Sequence, residues 1–163
     1  MQDSVETSIV LPALPQRVWA ALTDYQEFGE WFRARLDGPF VTGELVTGRV
    51  TYPGYEHLAF EAWVVALEAP RRFAFRWHPY AVDPSRDYSG EKTTLVELLL
   101  EPHELGKGEG KGKGESDGTR LTVCESGFTL LPAGRQASAL RMNDEGWRIQ
   151  MQNLDTYLAA ELP

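Results

Sequence analysis

The chain has 163 residues, of which 42% are hydrophobic and five are tryptophan, and a formal net charge of -8. That length suits one domain that buries roughly 70% of its unfolded surface and needs no disulfide or structural metal to hold a core. The acidity disfavours nucleic acid and anionic membranes as partners, since both require a basic face, and the single cysteine, Cys124, excludes an intramolecular disulfide.

β-Branched residues across 5–11 predict a first strand, stopped by Pro12. Pro15 then opens a helix through Arg17-Val18-Trp19-Ala20-Ala21-Leu22, because a first-turn proline lacks only an N–H that the helix does not use. Asp24 is placed to cap a second short helix running to Phe32. From Phe40 the pattern changes to period two, with strands expected at 44–52, 57–68 and 72–78, punctuated by Gly43, Pro53-Gly54 and Pro70. Short connections make this an antiparallel meander.

In the run 72–78 the odd positions are Phe73, Phe75 and Trp77, while Arg72, Ala74, Arg76 and His78 take the other face. A loop rich in Pro, Asp, Ser and Tyr is expected from His78 to Lys92, long enough to cover one mouth of the sheet. A strand resumes at 93–101. Alternating glycine and charge at 105–118 offers nothing to bury and predicts a mobile hairpin loop. A last strand at 118–128 leads through Leu131-Pro132 into a helix over about 132–160, on which Leu140, Trp147, Met151, Leu154 and Leu158 form one stripe. Gly146, inside that helix, costs about 1 kcal/mol relative to alanine and suggests a close approach or a bend.

The order strand, two short helices, a meander and one long C-terminal helix resembles the helix-grip fold of the START-like (SRPBCC) superfamily. The words Val18-Trp19-Ala20-Ala21-Leu22-Thr23-Asp24, Phe75-Arg76-Trp77, Gly118-Thr119-Arg120-Leu121-Thr122-Val123, Glu125-Ser126-Gly127-Phe128 and Asn143 with Gly146-Trp147 are similar to the Hsp90 ATPase activator homologue (AHSA1-like) branch. The resemblance implies an α+β fold of one domain over 1–163, with a curved antiparallel sheet of about six to seven strands around the C-terminal helix and two short helices after strand one. It also brings a chaperone partner by analogy. Nothing here stands in for the separate N-terminal domain of the full-length activator, so ligand binding is expected rather than Hsp90 activation.

Parity places Phe75, Trp77, Leu98 and Val123 on the face turned toward the helix, and Glu125 with them. An inward carboxylate is costly unless hydrogen-bonded, paired or protonated, which makes Glu125 the candidate polar anchor of an apolar pocket. Trp31, Trp147 and Met151 complete the expected lining. Trp63 lies in a run whose two faces are both apolar, so parity does not place it, while Arg76 and His78 point away from the site. His57, His78 and His103 lack metal-site spacing, and no metal or other cofactor is expected.

The expected function is binding of a small hydrophobic or aromatic molecule between sheet and helix. Two alternatives are a cyclase or aromatase using Glu125 and a co-chaperone-like protein-binding module. No nucleophile stands out. Nothing resembles a secretory signal or the ~20 apolar residues of a membrane helix, so a cytoplasmic location is expected.

Overall fold

The computed structural model describes residues 2–105 and 117–161, so most of the hairpin loop expected at 105–118 lies outside the described residues. Seven strands, β1 Ser4–Leu11, β2 Ala34–Leu36, β3 Leu45–Val50, β4 Ala59–Glu68, β5 Arg72–Trp77, β6 Thr94–His103 and β7 Gly118–Ser126, form one sheet. Its order is β1-β7-β6-β5-β4-β3-β2, and every pairing is antiparallel. Two short helices, α1 Pro15–Thr23 and α2 Tyr25–Phe32, follow β1, and the long helix α3 spans Ala133–Ala159. The sheet curves around α3, which packs on β1 at one edge and on α2 near the other.

Local chemistry explains the short helices. Pro15 sits in the first turn of α1, and the Asp24 carboxylate accepts from the backbone N–H of Gln26 and Glu27 at the start of α2. Helix α2 ends at Arg33, whose left-handed φ of 68° turns the chain directly into β2. That strand has only three residues and escapes the period-two pattern. Its signal is indirect: a Cβ at Gly29 would collide with the Ala34 carbonyl oxygen, and one at Gly48 with the Arg35 carbonyl oxygen. Both glycines are there so that β2 can lie close.

The concave face carries the core. Phe75 faces Val96 across β5 and β6, Phe73 faces Leu98, and Leu98 faces Val123 of β7. All five side chains are buried, as are Trp147, Met151, Leu154 and Leu158 of α3. Leu140 is half-buried, and the fully covered position at that level is Ala139. Phe28, Phe40, Phe60 and Phe73 extend the aromatic contacts under α2.

Two polar ties fasten the periphery. Arg135, in the first turn of α3, donates to the carbonyls of Pro79 (2.8 Å) and Tyr80 (2.9 Å) and to Glu91 (2.9 Å), and lies 4.7 Å from the Tyr88 ring. It clamps both limbs of the 78–93 loop. At the other end of α3 the Tyr157 hydroxyl donates to Glu27 (2.7 Å), which also receives Arg17. Burial, and then the bond to Glu27, pushes the Tyr157 phenol up from 10.0 to about 12.

Arg135→Ala leaves two carbonyls and a largely buried Glu91 short of a donor, so it is expected to cost about 2–4 kcal/mol in urea unfolding and to raise hydrogen exchange across 79–91. Because the folded state holds the Tyr157 proton more tightly than the unfolded chain, its contribution is complete below pH 10 and is lost as pH rises through about 12. Tyr157→Phe should therefore flatten the fall of unfolding free energy across that window, read from urea curves at matched pH values.

Candidate functional site

At the end of the sheet nearest the start of α3, four side chains converge on one carboxylate. Glu125, on β7, is fully buried, with 0% exposure. Trp77 Nε1–H donates to its Oε2 at 2.8 Å and Thr94 Oγ1–H to the same oxygen at 2.5 Å. Trp147 Nε1–H donates to Oε1 at 2.8 Å, and the Asn143 amide nitrogen reaches both oxygens at 3.0 and 3.1 Å. No cationic side chain bonds to Glu125 among the described residues.

Each donor has a positional reason. Trp77 is the last residue of β5 and Thr94 the first of β6, facing one another across the ladder, so the 78–93 loop leaves and returns at two residues bound to Glu125. Asn143 and Trp147 are four apart on α3 and share one face of it. With about four lone-pair sites on a carboxylate, the group is saturated by neutral donors. That saturation offsets the loss of hydration which otherwise forbids a buried charge.

The two indoles, aimed at one acceptor, stack on each other with centroids 5.6 Å apart and planes 26° apart. Phe32, the last residue of α2, lies 6.2 Å from each of them. Between these three rings is an opening of about 120 Å³, bordered also by Asn143, Gly146 and Gln150. Gln150 is committed, donating to the Phe32 carbonyl and accepting from Asn153. The Asn143 nitrogen is committed to Glu125, so its carbonyl oxygen is the acceptor that remains. A Cβ added at Gly146 would meet nothing within 4 Å, so the glycine serves neither a close approach nor a tight contact.

Of the eight residues singled out from the sequence, Trp77 and Trp147 border this opening and Glu125 stands behind them. Trp31, Phe75, Leu98, Val123 and Met151 do not. They are packed core, 0–2% exposed, and the Trp31 N–H is spent on the Ala21 carbonyl at 2.8 Å. Alternation assigns a side chain to a face and says nothing of its distance from the rim. Phe32, Asn143, Gly146 and Gln150 are not among those eight, although Asn143 and Gln150 flank Trp147 at four- and three-residue helical spacings and Gly146 directly precedes it.

A larger cleft, about 580 Å³, lies on the opposite face of β4 and β5, under the 78–93 loop. Cys124 carries little nucleophilic promise, since burial and the nearby Glu6 and Glu97 push its thiol up. Among the described residues no cluster of His, Cys, Asp and Glu is suited to a metal ion, and no helix is long and apolar enough to cross a membrane.

The family model for activator of Hsp90 ATPase homolog 1-like proteins matches residues 12–108, more than half of the chain. The chain belongs to the AHSA1 family. No curated protein matches it in sequence. Among solved structures, protein MLL2253 from Mesorhizobium loti is 19% identical, with a TM-score of 0.71 over 98% of this chain and 99% of that one. DynU16, described with the dynemicin biosynthetic locus, is 26% identical with a TM-score of 0.70; all of this chain is covered, spanning 49% of that one. CalU16 from Micromonospora echinospora is 21% identical with a TM-score of 0.61, over 97% of this chain and 77% of that one. These likenesses and the strand order give an α+β helix-grip fold of the START-like, AHSA1-like kind.

Glu125→Gln turns one acceptor oxygen into a donor aimed at other donors. It is expected to cost about 2–4 kcal/mol of unfolding free energy and to broaden or shift the indole N–H resonances of Trp77 and Trp147. A variant as stable as the parent would show that the convergence on Glu125 does not hold the fold.

Proposed function

We infer that the protein binds a small aromatic molecule at the opening between β5, α2 and α3. The observation that carries this reading is a glycine that packing does not require. Gly146 weakens the middle of a long helix and meets no neighbour, yet it borders the gap framed by Phe32, Trp77 and Trp147. A residue kept small at such a cost keeps space. The gap of about 120 Å³ is comparable with the roughly 150 Å³ that suffices for benzene in an apolar interior.

A single ring would lie against the indole and phenyl faces, and a hydroxyl or amine on it would donate to the Asn143 carbonyl oxygen. Glu125 fixes the two indoles rather than touching the guest, because its lone pairs are already taken. The same saturation argues against Glu125 as a general acid or base and so against a cyclase reading. DynU16, linked with the dynemicin biosynthetic locus, adds support for a small-molecule role. A chaperone partner rests on the family's description alone.

Phenol and indole titrated against the protein should shift the N–H resonances of Trp77 and Trp147. Gly146→Ala should raise unfolding free energy by about 0.5–1 kcal/mol and weaken that binding at least fivefold. Stabilisation together with undiminished binding, or no response from either indole across a panel of phenols, indoles and fatty acids, would sink the reading.

A further inference from the structure

The face of β4 and β5 turned away from α3 carries a second set of recognition groups. Arg76 and Trp63 are direct cross-strand neighbours there, and the Trp63 and His78 rings meet edge to face at 5.6 Å and 86°. All three line the 580 Å³ cleft, which falls in the range of about 300–1,000 Å³ usual for small-molecule pockets. Each is unspent. The Arg76 guanidinium is exposed and bonded to nothing among the described residues, the Trp63 N–H has no acceptor, and His78 Nδ1 is a buried nitrogen without a partner.

The cleft's acids are mostly spent. Glu91 is held by Arg86 at 2.8 Å and Arg135 at 2.9 Å, Asp83 accepts from Ser85, and Asp87 accepts from the Ser89 N–H. Arg76 therefore stands as a free cationic fork beside an aromatic plane, with Glu61 the one acid of the cleft left unengaged. We propose that this outer cleft is a binding site for a small aromatic monocarboxylate.

The carboxylate pairs with the Arg76 fork and the ring lies on Trp63 with the His78 edge beside it. Glu61 repels a second negative charge, which selects a monoanion over a phosphate dianion. The roof is the 78–93 loop, fixed from beneath by Arg135, so the cleft is largely formed before a ligand arrives. The site is on the other side of the sheet from the opening at Trp147, and the two can be occupied independently.

Titration with 2-naphthoate tests this, with the indole N–H resonances assigned by single Trp→Phe substitutions. It should shift the Trp63 resonance and leave those of Trp77 and Trp147 in place, and Arg76→Gln should weaken binding at least fivefold. Because Arg76 is exposed and unbonded, that substitution leaves the fold intact. Naphthyl phosphate should bind less tightly than 2-naphthoate to the parent protein. An unmoved Trp63 resonance, a loss below fivefold in Arg76→Gln, or tighter binding of the phosphate would each overturn the proposal.

Discussion

The interaction on which the rest depends is the burial of the Glu125 carboxylate among four neutral donors. A charge taken out of water at that depth costs several kcal/mol unless its lone pairs are filled, and they are filled only with β5, β6, β7 and α3 all in place. Two of the donors are indoles, and directing both N–H groups at one acceptor stacks Trp77 on Trp147. The helix is thereby fixed in rotation and position against the sheet. Apolar contacts alone tolerate sliding; a two-oxygen acceptor does not.

The same group ties the two faces of the sheet to one another. Trp77 and Thr94 are the stems of the 78–93 loop, and both are bonded to Glu125, while Arg135 of α3 fastens the loop's interior. The roof of the outer cleft is thus built from elements that also frame the inner opening. Rigid placement of recognition groups lowers the ordering cost of binding, which is what a small pocket with few polar contacts requires.

The interior is far fuller than a sheet wrapped around a helix suggests in outline. Phe28, Phe32, Phe60, Phe75, Trp77 and Trp147 interlock through edge and stacked contacts, and between sheet and helix the opening beside Gly146 is small. Large aromatic side chains fill a concave sheet efficiently, since each buries about 150–250 Å². That opening has room for no more than a single ring, and the larger volume lies on the outer face, where the loop rather than the sheet's curvature makes it.

Local signals are enough for every element but β2 and for their order. Pro15 and Asp24 announced the two short helices, the odd-position aromatics of β5 announced which face is dry, and the stripe from Trp147 to Leu158 announced the long helix. The inward turn of Glu125 also followed from strand parity, because alternation is a property of the backbone. Depth and partnership are not local. Which aromatics reach a rim, that Asn143 and Thr94 complete the carboxylate's shell, that Trp63 turns outward beside Arg76, and that β2 exists at all depend on distances between segments far apart in the chain. The sequence determined faces and periods, and only packing in three dimensions decided where those faces leave room.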